Sequence, residues 1–181
     1  MNNEAGFEQL GKSIIDNIKE EQAKLGYRKE TIYLYYPLSS LKHFFGQTKT
    51  EEEMRHTLSH FPTSIRSRLG NIKVSNQKER FCFEIPETGS EYVHNHVKDN
   101  EFIRELIHTV SEHGCTIEKI ISLFQSYSSN IEVVKMNNKE FDYRISFLED
   151  KEDQYYYCFH DEGCHMIYHR FTQEDYKDFD L

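Results

Sequence analysis

Apolar residues at Phe7, Leu10, Ile14, Ile15, Ile18, Ala23 and Leu25 mostly recur at steps of three and four, the period of one helical face. Gly26 follows as a helix stop. A second helix is predicted through Leu38, Leu41, Phe44 and Phe45, with Pro37 at its start and Gly46 after it. Thr50-Glu51-Glu52-Glu53 has the spacing of a capping box, in which the hydroxyl and the carboxylate each satisfy the other's backbone N–H. The helix it opens carries Met54, Leu58 and Phe61, and a short piece from Ser64 to Leu69 ends at Gly70. The N-terminal part of the chain, 1–70, is therefore expected to be helical throughout.

Past Gly70 the period shortens. Ile72 and Val74 alternate, as do Phe81, Phe83 and Ile85, and the polar run Ser75–Arg80 between them predicts a hairpin. Pro86–Ser90 reads as a loop. A helix capped by Asp99 or Asn100 buries Phe102, Ile103, Leu106, Ile107 and Val110 and stops at Gly114; a second, capped by Thr116, carries Ile117, Ile120, Ile121 and Phe124. Four strands follow, over Ile131–Met136, Glu140–Leu148, Tyr155–Asp161 and Cys164–Phe171. Their short polar connections imply an antiparallel meander. Thr172 and Asp175 then open a short terminal helix. The expected fold is α+β: a helical N-terminal part, one hairpin, a helix pair, and a four-stranded meander with a C-terminal helix. At 181 residues this is one domain, 1–181, with internal parts at 1–70, 71–128 and 129–181.

Charge changes this picture more than composition does. The formal net charge is −9, but residues 1–70 carry 10 basic and 9 acidic side chains, 71–128 carry 6 and 9, and 129–181 carry 6 and 13. The acidity therefore collects on the predicted meander, which also holds six of the twelve tyrosines. An acidic balance argues against a chain whose main work is gripping phosphate backbones, so nucleic acid is not the expected partner. A basic protein partner suits it better, met by Tyr156 and by Glu149, Asp150, Glu152 and Asp153 of the turn before it. Acidic bacterial inhibitor or immunity proteins against secreted toxins would be one concrete form, by analogy alone. No run approaches the roughly 20 apolar residues of a membrane span. The N-terminus lacks the basic and apolar regions of a secretory signal, so a cytoplasmic chain with reduced cysteines is expected.

Candidate chemistry centres on ten histidines and four cysteines. If Glu162-Gly163 makes a two-residue turn, His160 opposes His165 and Tyr156 opposes His169. Strand alternation then gathers Cys158, His160, His165 and His169 on the accessible face, where they could bind zinc. The plainer reading is a polar-aromatic outer face. His56 and His60 share a helical face but lack the glutamate of a zincin, and His94 and His96 share one only in an extended segment. Cys115 precedes a helix N-terminus, a position that can activate a thiol or simply bury it. A basic run from Arg66 to Arg80 offers a weak nucleic-acid site, set against the commoner solvated face. No phosphate-binding, dinucleotide or serine-hydrolase motif occurs.

Together with the amphipathic N-terminal helix, the segment Gly163-Cys164-His165-Met166-Ile167-Tyr168-His169-Arg170-Phe171-Thr172-Gln173-Glu174-Asp175-Tyr176 resembles uncharacterised bacterial proteins grouped as a family of unknown function. The resemblance implies a bacterial cytoplasmic protein and transfers no site residues. The residues themselves favour a non-catalytic interaction module, with metal binding or metal-dependent hydrolysis as the alternative and no cofactor expected.

Overall fold

A computed structural model describes residues 3–61, 63–136, 140–148, 155–172 and 175–176. The chain divides into two compact units, 1–100 and 101–181.

The first unit is built on helix α1 (Asn3–Leu25), whose periodic residues Phe7, Leu10, Ile14 and Ile18 are buried. Helix α2 (Leu38–Phe45) packs close against it: a Cβ on Gly6 would strike the Phe44 carbonyl, so only glycine allows this approach. Helix α3 (Glu51–Ser59) has the expected capping box, with the Thr50 hydroxyl accepting from the Glu53 N–H and the Glu53 carboxylate accepting from the Thr50 N–H. Helix α4 (Thr63–Leu69) ends at Gly70, whose φ of 74° lies in the left-handed region.

The stretch before α2 departs from the expectation. Ile32–Pro37 is a strand, β1, so the N-terminal part up to Gly70 is not all helical. It pairs antiparallel with β3 (Arg80–Ile85), which also forms the expected hairpin with β2 (Lys73–Gln77), giving the sheet order β1-β3-β2. Leu34 and Tyr36 point into the core while Tyr33 and Tyr35 point out, the alternation of a half-buried strand. Tyr36 ties β1 to α1, its hydroxyl accepting from Asn17 Nδ2 at 2.8 Å and lying 2.9 Å from Ser13 Oγ. The segment read as a loop after Pro86 is also regular: Glu87–His96 is helix α5, with Pro86 at its N-cap.

The second unit follows the expected order closely. Helices α6 (Glu101–Ser111) and α7 (Ile117–Tyr127) precede strands β4 (Ile131–Lys135), β5 (Tyr143–Phe147), β6 (Tyr155–Asp161) and β7 (Met166–Thr172), which form a meander in that order. Its inner face packs Ile145, Phe147, Tyr157, Phe159 and Met166 against Phe102, Leu106, Ile120 and Phe124 of the helices. Phe124 and Phe147 stack with ring centroids 5.0 Å apart, and Phe102 meets Tyr157 edge-on at 5.6 Å. Thr172 caps the terminal turn, its hydroxyl accepting from the Asp175 N–H at 3.0 Å. The architecture is α+β, seven helices and two antiparallel sheets among the described residues.

Candidate functional site

The last hairpin differs from the predicted register by two residues. Cys158 pairs with His169, His160 with Ile167 and Asp161 with Met166, so Glu162–His165 form a four-residue turn, closed by the Glu162 N–H donating to the His165 carbonyl at 3.0 Å. The physical reason is that β strands alternate with a period of two: a two-residue slip keeps every side chain on its face and changes every partner. His165 therefore leaves the ladder and sits exposed in the turn, no longer opposite His160.

The outer face is also less accessible than expected. Cys158 is fully buried beneath Phe141, Tyr156, Phe171 and Tyr176, and burial pushes its thiol up to about 12. A thiol so far from ionising is poorly prepared to ligate a metal. His160 Nδ1 stands 3.0 Å from Asp142 Oδ2, and that same oxygen accepts the Asp161 N–H at 2.9 Å. His169 lies exposed between Phe141 and Phe171, 5.6 and 6.1 Å away between ring centroids. Among the described residues no group of three His, Cys, Asp or Glu side chains is arranged to hold a metal ion.

Tyr156 is half-buried and engaged within the unit. The Arg144 guanidinium lies 4.3 Å from its ring centroid and 5.2 Å from that of Tyr176, and Arg144 donates to Glu132 Oε2 at 2.7 Å. Burial acts to lower the Arg144 pKa, but hydrogen bonds to Glu132 and Tyr176 outweigh it and hold the charge in place. Glu149, Asp150, Glu152 and Asp153 lie outside the described residues.

The other histidine pairs separate or find local partners. His94 and His96 lie on α5, where residues two apart diverge, so the extended segment in which they would share a face is not formed. His94 stacks on Tyr27 at 4.0 Å and His96 on Tyr92 at 4.6 Å. His56 and His60 are exposed neighbours, and His60 Nδ1 lies 2.9 Å from the His56 carbonyl. Cys115 is buried at the start of α7, where burial raises its pKa; a packed thiol, not an activated one, occupies the position.

The basic run spans two settings. Arg66 and Arg68 lie on α4, whereas Lys73 and Arg80 lie on the outer face of the first sheet, joined at the β2–β3 turn by Lys78. That open face also presents Tyr33 and Tyr35, 54% and 55% exposed, a feature that an all-helical reading of the N-terminal part conceals. Arg80 lies over the Tyr35 ring at 4.6 Å, and Lys73 pairs with Glu84 at 2.7 Å. A hydrogen bond with Cys82, and that thiol's charge, raise the Tyr35 hydroxyl above its ordinary value. The signal for β1 in the sequence is its aromatic-rich alternation, Ile32-Tyr33-Leu34-Tyr35-Tyr36, closed by Pro37.

Two antiparallel sheets, each with one face packed against helices of its own unit, define an α+β protein. The chain belongs to the family described as "Domain of unknown function, E. rectale Gene description (DUF3877)", which matches residues 7–179. No curated protein and no solved structure matches it. Among the described residues, no helix is long and apolar enough to cross a membrane.

Proposed function

We propose that the chain is a non-catalytic interaction module of the bacterial cytoplasm whose second unit binds a basic protein partner. One observation carries this reading. Residues 1–100 hold 14 Lys and Arg against 14 Asp and Glu, a net charge of zero, while residues 101–181 hold 8 against 17 and so account for the whole −9. A field confined to one unit attracts and orients a cationic partner more effectively than the same charge spread evenly. Apolar contact is available beside it: Leu148, 58% exposed, directly precedes the acidic run Glu149-Asp150-Lys151-Glu152-Asp153 in the sequence. Tyr156, held against Arg144 and Tyr176, is engaged within the unit more than it offers a free ring.

The test is affinity purification of the full chain from its native source, followed by titration of the recovered partner against E149Q/D150N/E152Q/D153N. The expected partner is basic, its affinity falls as salt rises, and the neutralised variant binds it about tenfold or more weakly. Binding that ignores both salt and the four substitutions overturns the proposal. Stoichiometric zinc in protein purified without a histidine tag, lost in His160→Ala, would instead favour the metal reading.

A further inference from the structure

The open face of the first sheet carries a different kind of recognition chemistry. Tyr33 and Tyr35 project from β1 on the same side, separated by about 6.6–6.8 Å along the strand. That is roughly twice the 3.4 Å spacing of stacked nucleotides, so the two rings could receive successive bases of a splayed single strand but not of a duplex. Arg80 lies across from Pro37 in the register with its guanidinium 4.6 Å from the Tyr35 ring centroid, which sets a cation for phosphate contact beside that ring.

The same face continues into a shallow, open recess lined by Tyr35, Pro37, Gln77, Lys78, Glu79 and Arg80. Its shape is fixed by the backbone: the Leu38 N–H donates to the Glu79 carbonyl at 2.6 Å, and Lys78 holds the turn with a φ of 54°. Lys73 is already paired with Glu84, which leaves Lys78 and Arg80 as the cations offered to a ligand, and Gln77 as an amide able to meet a base edge. Stacking rings, two cations and an amide beside a recess match a short single-stranded nucleic acid. They match an aliphatic or basic peptide poorly, because the exposed positions are aromatic and the cations of the recess outnumber its carboxylate, Glu79.

We infer that the outer face of the β1-β3-β2 sheet binds single-stranded nucleic acid, with Tyr33 and Tyr35 stacking bases and Lys78 and Arg80 contacting phosphate. Such a site depends on stacking more than on charge, and so it is compatible with a net charge of zero over residues 1–100.

The experiment is fluorescence anisotropy of the full chain with labelled octauridylate, octathymidylate and a duplex of the same length. Both single strands should bind saturably and quench tyrosine emission, and the duplex should not compete. Tyr33→Thr and Tyr35→Thr should each weaken binding about tenfold or more. Two phosphate contacts give a slope of log affinity on log salt near about −1.4, which K78Q/R80Q should bring close to zero while leaving the tyrosine quench. Circular dichroism verifies that these surface variants fold, and the two sets of substitutions test the site independently. No saturable binding, or binding unchanged in both tyrosine variants, overturns the inference. So does a concentration-dependent dimer lost in the tyrosine variants without oligonucleotide binding, which would assign the face to self-association.

Discussion

Cys158 and Cys164 show how far two similar residues six positions apart can differ. Cys158 is sealed under the aromatic cluster on the outer sheet face, whereas Cys164 is exposed in the β6–β7 turn. Nucleophilic thiol chemistry needs an accessible thiolate. Iodoacetamide at about pH 8 should therefore alkylate Cys164 in the native chain and reach Cys158 and Cys115 only on unfolding, which peptide mass mapping will resolve. The raised Cys158 pKa also has a sign. The folded state holds the proton more tightly than the unfolded thiol, whose ordinary value is 9.0, so the stability tied to this group is complete below about pH 9 and is lost as pH rises towards 12. Chemical denaturation across that window should show falling stability in the native chain and a shallower fall in Cys158→Ala. Equal slopes in the two proteins would mean that tyrosine and lysine titration alone drives alkaline unfolding.

At the scale of elements, helices are the most legible feature where a cap and a period coincide. Thr50 and Glu53 mark the start of α3 because the capping box is a local motif, complete within a single helical turn. β1 has a local signal in its aromatic-rich run, but that run becomes decisive only through a partner far along the chain, as in the pairing of Leu34 with Phe83. The faces of β6 and β7 are legible from alternation, since Tyr157 and Phe159 are buried as expected. The partners are not, because Glu162-Gly163 does not say whether the turn holds two residues or four, and the histidine cluster dissolves with that register. What organises the outer sheet face instead is Arg144, reaching Glu132 on β4, Tyr156 on β6 and Tyr176 beyond β7. Arg144→Met keeps the aliphatic stem but removes the charge-assisted bond and both ring contacts. It should destabilise the chain by about 1–3 kcal/mol in urea unfolding and increase the accessibility of Cys158 to alkylation. A stability loss without faster alkylation would show that Tyr176 covers the thiol independently of Arg144.

For the whole molecule, the division of charge sets a physical cost as well as a surface for binding. Across 101–181, seventeen carboxylates against eight cations repel one another, and some pairs, such as Glu132 with Arg144, only partly offset this. Screening with salt relieves that repulsion, since the Debye length shrinks from about 30 Å at 0.01 M to about 8 Å at physiological strength. The melting temperature of the full chain should therefore rise with sodium chloride over that range, by about 2–4 °C if the relief is near 1 kcal/mol. The variant E149Q/D150N/E152Q/D153N lowers the net charge to −5 without touching any described contact, and its melting temperature should start higher and respond less. The two outcomes separate the functions of the acidic run. If the variant is more stable and fails to bind the basic partner, the carboxylates are retained for recognition at the expense of stability. If it is less stable, they take part in specific pairs that hold the second unit together, and the field attributed to free charge is smaller than their number suggests.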